Sequence, residues 1–364
     1  MIRFSRATVD RRVANEPPHP HVATGKLIFR RVATTPPNPP LYMTTATVYT
    51  FSTGVASDAG TRYRQPVTEK TQSHALTGVR MEDSHVILKY RNNIIVALAD
   101  GHGSVEMERG VHVGGREAAD SALAAVQTHA RKCVCHAKDV FDAAHEAVRI
   151  QVDFARHTEA VTTEADGAIT VRKANGTLET AAHGTTLCIM SVSPTGDGHV
   201  AYVGDTMCVV VPDGETSAFF AGAPHTVANK EEASRMIAAG AKKWRARHLQ
   251  MKIGPKNDEY VVQLTRSLGH FGNRIMTHEP TELRWKAGWK AIVVATDGIW
   301  DHVSIDRCAS ICKWHPDAQM CANAILAEAV RSAANKPRDN ATVVVVMATP
   351  QAPVADEVCR CSVS

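Results

Sequence analysis

The sequence lacks several features that would place the protein in a specialised class. No apolar run among its 364 residues approaches the roughly 20 residues that a membrane-spanning helix needs, which argues against an integral membrane protein. No secretory apolar segment opens the chain, and the nine cysteines are odd in number and dispersed, so we expect free thiols in a reducing compartment. A composition of 44% hydrophobic and 21% charged residues is typical of a globular protein.

An excess of one charge sign is also missing from most of the chain. Residues 1–43 hold seven of the 41 Lys and Arg residues and two of the 37 acidic ones, and the remainder is nearly balanced. The folded part therefore gives no indication of nucleic-acid binding. Seven of the 17 prolines lie in the same 43 residues, which predicts a disordered leader. Its arginines leave organelle targeting open beside a solvated tail.

Two long apolar runs end in Asp-Gly. They are "IIVALADGHGS" (94–104) and "KAIVVATDGIWD" (290–301), and their lack of alternation is typical of strands buried on both faces. Asp-Gly after a strand is also a hairpin signal. The tetrapeptide Asp100–Gly103 alone therefore does not decide between a turn and a functional site.

The order of the predicted elements indicates an α+β fold. Segments with a strand pattern are followed by two successive segments with a helical pattern. Two helices in a row disfavour the strict strand–helix–strand order of a βαβ fold. We expect a domain over 44–348 between the leader and a flexible tail at 349–364. The predicted elements are a strand near 44–54, strands 85–90 and 93–99, helices around 111–126 and 140–152, an inserted hairpin or loop over 157–183, consecutive antiparallel strands within 185–212, a helix over 229–241, a strand over 290–295, helices between 308 and 334, and a strand over 341–348.

Carboxylates recur beside the ends of the apolar strands. They are Glu82 with Asp83, Asp100, Asp205, Asp297 and Asp339. Carboxylates gathered at strand ends repel one another, and hard cations such as Mg²⁺ and Mn²⁺ bind oxygen ligands and offset that repulsion. Two such ions can hold a phosphoryl group and activate water. Each acid alone could cap a turn, but five such coincidences favour a metal site.

Short motifs from one end of this region to the other occur in a fixed order. They are "MED", "ADGHGS", "GTT", "YVGD", "TRSLG", "ATDGIWD" and "RDNATVVVV". In this the chain resembles the metal-dependent protein serine/threonine phosphatases of type 2C over about residues 50–348. The resemblance implies two stacked antiparallel β-sheets flanked by helix pairs, with a dinuclear Mg²⁺ or Mn²⁺ site at one end of the sandwich. It also implies hydrolysis of phosphoserine and phosphothreonine in proteins by a metal-bridging hydroxide, and we expect a monomer.

The resemblance further implies roles for individual residues. His102 corresponds to the proposed general acid that protonates the leaving oxygen, with a structural histidine as the alternative. A side chain at Gly101 would crowd a carbonyl that approaches an ion. The implied metal ligands are Asp100 as the bridging carboxylate, the Gly101 carbonyl, Glu82, Asp83, Asp297 and Asp339, with Asp205 and Asp301 for a weaker third ion.

Three positions depart from the family pattern. Gly78 stands where an arginine usually grips the substrate phosphate, and Arg80 is the candidate replacement, unless it is a solvated turn residue. Met207 replaces the arginine of "GDSR", and His270 replaces an acid after "SRALG". The departures at Gly78 and Met207 motivate a second hypothesis, a regulator that binds phosphoproteins without turnover. A third hypothesis is a phosphatase for small phosphate esters.

Two further segments carry open alternatives. Residues 221–260 correspond to the family's flap, whose basic residues at 242–247 either steer acidic substrates or form an ordinary solvated surface. The terminal "CRCSVS" fits a prenylation box at Cys361, although its serine is not aliphatic, so a lipid anchor stays open. We expect a cytoplasmic or nuclear protein, with membrane anchoring and organelle targeting as weaker alternatives.

Overall fold

The computed structural model describes residues 47–351 except 61–80, 107–111, 133–135, 151–159, 164–166, 173–175, 181–182, 215–218, 221, 246–247, 254–257, 274, 335 and 337. Contacts between Cα atoms group the chain into two units, Met1–Thr44 and Thr45–Ser364, and every element below lies in the second. The predicted leader, Arg80 and Cys361 lie outside the described residues. No described helix is long and apolar enough to cross a membrane.

Twenty strands and six helices make up the described part of the chain. The strands are β1 (Tyr49–Asp58), β2 (Asp83–Tyr90), β3 (Asn93–His102), β4 (Ser104–Glu106), β5 (His112–Gly114), β6 (Ala160–Thr163), β7 (Ile169–Arg172), β8 (Leu178–Thr180), β9 (Gly184–Thr185), β10 (Leu187–Val192), β11 (Gly198–Val203), β12 (Met207–Pro212), β13 (Phe219–Phe220), β14 (Lys242–Arg245), β15 (His248–Ile253), β16 (Asp258–Val262), β17 (Leu268–Gly269), β18 (Thr281–Trp285), β19 (Trp289–Ala295) and β20 (Ala341–Pro350). The helices are α1 (Gly115–Thr128), α2 (Ala137–Ile150), α3 (Lys230–Ala238), α4 (Asp297–Trp300), α5 (Ile305–Trp314) and α6 (Ala318–Ala333).

Two antiparallel sheets form a sandwich, as the sequence predicts. One sheet has the order β1-β20-β19-β12-β13, and the other runs β17-β9-β3-β10-β11-β18 with β2 on the free side of β3. The β2–β3 hairpin closes through Arg91 and Asn92, whose φ angles of 46° and 66° are the left-handed values that a type I′ turn needs.

The central strands are buried on both faces, which explains their unbroken apolar runs. From β3, Ile94, Val96 and Leu98 face the opposite sheet, where they meet β19 and β20. The intervening residues of β3, such as Ile95 and Ala97, pack against α1 and α2. Helices α5 and α6 cover the outer face of the other sheet in the same way. The result is an α-β-β-α layering with three apolar layers.

Three segments differ from the sequence predictions. The strands within 185–212 are not one meander, because β11 pairs with β10 and β18 while β12 pairs with β19 in the other sheet. The insertion at 157–183 contains a three-stranded sheet, β6-β7-β8, rather than a single hairpin. Helix α1 begins at Gly115, later than the apolar spacing from 111 predicted, because β5 precedes it.

The predicted flap segment contains α3 and a third antiparallel sheet, β14-β15-β16. Asn229 caps α3 by accepting a hydrogen bond from the Glu231 amide at 3.1 Å. Met236 packs with Leu249 and Met251 in a separate small apolar cluster. The flap therefore has its own core, beside the sandwich.

Candidate active site

Strand pairing brings the first two acids together. In the β2–β3 ladder Asp83 lies directly opposite Asp100, and the Gly101 amide donates to the Glu82 carbonyl at 3.3 Å. The Asp100 backbone is held from the other side, where its amide donates to Thr186 Oγ1 at 3.0 Å and its carbonyl accepts from the Thr186 amide at 2.9 Å. The Asp100 carboxylate at the end of β3 therefore projects from a backbone fixed on both edges.

The second sheet contributes acids at the same end of the sandwich. Because β19 and β20 are antiparallel, the residues after Ala295 lie beside the residues before Ala341. Asp297 starts the one-turn helix α4 after β19, and Asp339 lies two residues before the start of β20. Gly298 permits this approach, since a Cβ there would lie 1.9 Å from the Asn340 carbonyl oxygen.

Thr296 joins the two sheets beneath the acids. Its hydroxyl donates to Asp83 Oδ2 at 3.0 Å and accepts from the Thr342 amide at 3.0 Å. Asn340 makes a second link, because its Oδ1 accepts from the Glu82 amide at 2.7 Å. These bonds fix the separation between the acids of β2 and those of β19 and β20.

Asp205 enters the site because the chain crosses between sheets at this point. Gly204 and Asp205 connect β11 to β12, and Gly204 has a φ of 95°, which favours glycine. His225 holds this turn through two hydrogen bonds. Its backbone amide donates to the Gly204 carbonyl at 2.9 Å, and its Nδ1 accepts from the Gly204 amide at 3.2 Å. The predicted third-ion acid is thus positioned by a histidine at the base of the flap.

The acids line one open cavity of about 900 Å³ at the end of the sandwich. Asp83 is 2% exposed and lies behind Asp100, whereas Asp301 is exposed at the rim. One wall is apolar and comes from the flap and the segment after it, with Val261, Leu264 and Met276. The predicted site residues on the cavity lining are Glu82, Asp100, Gly101, His102, Asp205, Asp297, Asp301 and Asp339.

The environment of this cavity disfavours the ionised form of its own carboxyl groups. Burial, reinforced by the neighbouring acids, raises the pKa of Asp100 and of Asp297 well above the ordinary value. Burial likewise raises the pKa of Asp83 to about 6, although the nearby Thr342 hydroxyl and the hydrogen bond from Thr296 oppose it, and that of Asp205 to about 7. Carboxylates therefore outnumber cations here, since Lys336 is the one lysine or arginine on the described lining of the cavity.

Two buried carboxylate oxygens support a cation at this place. Among the described residues, neither Asp83 Oδ1 nor Asp297 Oδ1 has a hydrogen-bond partner. Oxygen-only donors of this kind fit Mg²⁺ or Mn²⁺. Within the described part of the chain, no group of three or more His, Cys, Asp or Glu side chains is already arranged closely enough to hold a metal ion. The oxygen-only donors and the two buried carboxylate oxygens nevertheless fit a divalent cation.

Gly101 is required for a reason that the sequence did not supply. A Cβ at Gly101 would lie 2.0 Å from the Gly115 carbonyl oxygen, and a Cβ at Gly115 would lie 2.7 Å from the Gly101 carbonyl carbon. The end of β3 and the start of α1 thus touch through backbone alone. This contact adds to the predicted reason, an uncrowded carbonyl beside an ion.

His102 lies on the cavity wall in a network of its own. Its Nε2 is 2.8 Å from Ser267 Oγ, and its ring stacks on His270 with centroids 4.9 Å apart. The Ser267 hydroxyl is also within reach of the Leu268 carbonyl at 2.8 Å. If that hydroxyl donates to the carbonyl, His102 Nε2 carries the proton and donates to Ser267 Oγ. Burial, followed by the influence of His183, lowers the pKa of His102 to about 4, so the ring is neutral at pH 7.

The sequence did not reveal several residues that position Glu82, Asp100 and His102, although these residues lie within recognised motifs. Thr186 belongs to "GTT", Asn340 to "RDN" and Ser267 to "TRSLG". Their small polar side chains beside the acids were the available signal. The partner of each, however, lies far away in the sequence. Thr186 and Asp100 are 86 residues apart, Ser267 and His102 are 165 apart, and Asn340 and Glu82 are 258 apart.

With this geometry established, comparison with known proteins identifies the family. The family model for protein phosphatase 2C matches residues 79–337. The chain belongs to the protein phosphatase 2C family. Its members are metal-dependent serine/threonine phosphatases, and the antiparallel sandwich with flanking helices is their fold. A comparison with curated proteins found no match.

Solved structures show the same fold at low identity. A serine-threonine phosphatase 2C from Toxoplasma gondii is 14% identical with a TM-score of 0.54, covering 83% of this chain and 99% of that one. A bacterial serine phosphatase is 11% identical with a TM-score of 0.54, covering 83% and 100%. A Caenorhabditis elegans sex determining protein is 17% identical with a TM-score of 0.53, covering 82% of this chain and 64% of its own length. At these identities, the likeness concerns the phosphatase 2C fold.

Proposed function

We propose that this protein hydrolyses phosphoserine and phosphothreonine in proteins with the help of two divalent cations. The observation that carries the proposal is the convergence of acids at or beside the ends of β2, β3, β19 and β20, with two buried carboxylate oxygens lacking a partner among the described residues. A structural cluster of turn caps would satisfy those oxygens internally. Membership of the phosphatase 2C family supports the reaction class.

The metal ions, when bound, supply an activated water for attack on phosphorus and offset the charge of the phosphate. Asp100, whose backbone is fixed by Thr186, would be the central residue that holds them. The other residues proposed to hold them are Glu82, Asp83, the Gly101 carbonyl, Asp297 and Asp339, with Asp205 and Asp301 for a weaker third ion.

His102 is proposed to deliver a proton to the leaving serine or threonine oxygen. Its Nε2 is engaged with Ser267 and its Nδ1 has no partner among the described residues, so Nδ1 is the nitrogen that remains for the substrate. Donation requires the imidazolium form, and the negative charge of a bound phosphate favours it over the neutral ring. Without that charge, the pKa of about 4 keeps the ring neutral at pH 7.

Turnover of a phosphothreonine peptide with and without Mn²⁺ tests the proposal. We expect hydrolysis only with the metal, and a loss of at least about a hundredfold in kcat in Asp100→Asn and in Asp297→Asn. Asp213→Asn is the matched control, because Asp213 is exposed beyond the far end of β12 and should leave the rate unchanged. Full activity after chelation, or in either cavity variant, contradicts the mechanism.

The same assay separates the other hypotheses. Metal-dependent peptide binding without turnover would favour a phosphoprotein-binding regulator, which the absence of an arginine at Gly78 and Met207 motivates. Comparable rates on small phosphate esters and on phosphoproteins would favour a metabolite phosphatase. A strong preference for phosphoprotein is the outcome that the proposal expects.

A further inference from the structure

The cavity presents negative carboxylates to a substrate that is itself a phosphate dianion. Two bound cations would offset part of this charge, but the phosphoryl oxygens that point away from them still need a positive partner. The family's arginine for this task is absent at Gly78. We propose that Lys336 binds the phosphoryl group of the substrate. This inference rests on the proposed phosphatase function.

Among the described residues, the arginines near the acids are already committed to protein partners, and the sequence candidate Arg80 lies outside them. Arg116 pairs with Asp120 at 2.8 Å and donates to the Met81 and Asp83 carbonyls at 3.2 and 3.0 Å. Arg338 pairs with Asp58 at 2.8 Å. Recruiting either of them to a phosphate would break bonds that hold β1, β2 or α1 in place.

Arg266 is committed as well, although it is next to Ser267. It forms hydrogen bonds with both carboxylate oxygens of Glu232 and donates to the Glu279 carbonyl at 3.0 Å. Its guanidinium is 19% exposed and Glu232 is 8% exposed. This arginine anchors α3 rather than facing a substrate.

Lys336 differs from these arginines in its position and in the bonding of its side chain. It follows the end of α6, where its amide donates to the Ala333 carbonyl at 3.0 Å, and it lines the acidic cavity with Asp301, His302 and Asp339. It is the one lysine or arginine among the described residues of that lining. Its side chain is exposed, and within the described part of the chain its ammonium group forms no ion pair or hydrogen bond. The charge is therefore available for a ligand.

A lysine at the rim suits this role chemically. Its ammonium is a point charge on a long flexible stem, which lets it follow phosphoryl oxygens of substrates that enter in slightly different poses. Arginine would add a second hydrogen bond to the same oxygens. We therefore expect Lys336→Arg to retain binding and Lys336→Ala to lose it.

Binding of inorganic phosphate to the full chain in the presence of Mn²⁺ tests the inference apart from turnover. By calorimetry, we expect Lys336→Ala to weaken phosphate binding about five- to tenfold and Lys336→Arg to bind within about twofold of wild type. Lys286→Ala is the matched control, because Lys286 is 88% exposed and pairs with Asp197 at the opposite end of β11. It should bind phosphate as the wild type does.

Kinetics with two substrates complete the test. If Lys336 contacts the phosphoryl group, Lys336→Ala should raise KM by a similar factor for p-nitrophenyl phosphate and for a phosphothreonine peptide, with kcat changed less than about twofold. An effect confined to peptides with acidic neighbours would show that Lys336 binds a flanking carboxylate instead and would overturn the inference. So would unchanged phosphate binding in an active Lys336→Ala variant, whereas absence of turnover in the wild type would refute only the proposed function.

Discussion

At the scale of single residues, the geometry of the cavity depends on side chains that are not proposed to contact the substrate phosphate. Ser267 is the clearest case, because its hydroxyl meets His102 Nε2 at 2.8 Å and belongs to the segment that follows the flap. His270 stacks on the other side of the same ring. A ring held by a hydrogen bond and by stacking has few orientations, and proton transfer is sensitive to orientation.

Ser267→Ala should therefore lower kcat about tenfold while KM and the Mn²⁺ requirement stay close to wild type. His102→Ala should lower kcat further, and the double variant should be no slower than His102→Ala alone, because Ser267 acts only through the ring. Steady-state kinetics of the three variants measure this. Ser193→Ala, at an exposed turn, is the control, and additive losses in the double variant would contradict the positioning role.

At the scale of elements, the flap is tied to the sandwich by a partly buried ion network. Glu232 of α3 accepts from Arg235 and Arg266, and Arg235 also donates to the Thr265 carbonyl at 2.7 Å and the Ile275 carbonyl at 3.0 Å. Burial raises the pKa of Glu232, but the bonds and charges of Arg266 and Arg235 outweigh it and lower the pKa to about 2. This helix is thereby fixed to the segment that leads into β17 and carries Ser267.

Glu232→Gln should destabilise α3 at pH 7 by about 1–3 kcal/mol, because two guanidinium groups lose their anionic partner. The depressed pKa means that this stabilisation is present above the unfolded value of 4.5 and is lost as pH falls toward about 2. The difference from wild type should accordingly shrink below pH 4.5. Amide hydrogen exchange in α3 at neutral pH and thermal unfolding down to pH 3 measure it.

Glu231→Gln is the matched control for this helix, since Glu231 is the exposed neighbour of Glu232 in the same first turn. It should change stability by less than about 0.5 kcal/mol. Equal effects of the two variants would mean that helix charge, and not the network, stabilises α3.

At the scale of the whole molecule, the acid cluster opposes the stability of the sandwich that carries it. Asp83, Asp100, Asp205 and Asp297 all have raised pKa values in the folded protein, chiefly because they are buried. Raised carboxyl pKa values mean that the folded state binds more protons than the unfolded state, so stability falls as pH rises from about 4 through 6 and 7. A bound cation would offset the charge of these carboxylates and so remove this destabilisation.

In the presence of a chelator, the melting temperature should therefore fall between pH 5.5 and pH 7.5. Saturating Mn²⁺ should raise it at pH 7.5 by about 5 °C and by less at pH 5.5. Asp297→Asn removes one buried charge and one proposed ligand, so with chelator it should melt above wild type at pH 7.5 and gain little from Mn²⁺. A pH-independent melting temperature, or an equal Mn²⁺ effect in Asp297→Asn, would count against this account.

Much of the fold could be predicted because periodicity reports the burial of a segment. The unbroken runs of β3, β19 and β20 predicted strands covered on both faces, and the structure places a helix pair on one face and the other sheet on the opposite face. What periodicity could not report is which strand neighbours which. The chain crosses at Gly204, so that β12 lies in the other sheet. The apolar pattern could not show this crossing, because the residues of β11 and β12 are both mostly buried.

The sequence by itself determined the class of the site, since the order of acids, glycines and motifs identified the phosphatase 2C family before any coordinate. Roles for Asp100, His102 and the other acids stay predictions. Only the tertiary structure decided which groups meet. Thr296 reaches Asp83 across 213 residues, Gly101 touches Gly115 through backbone, and Lys336 stands unpaired in the described acidic cavity. The physical reason is that a side chain's chemistry is local, whereas its partners are set by strand register and by the packing of two sheets.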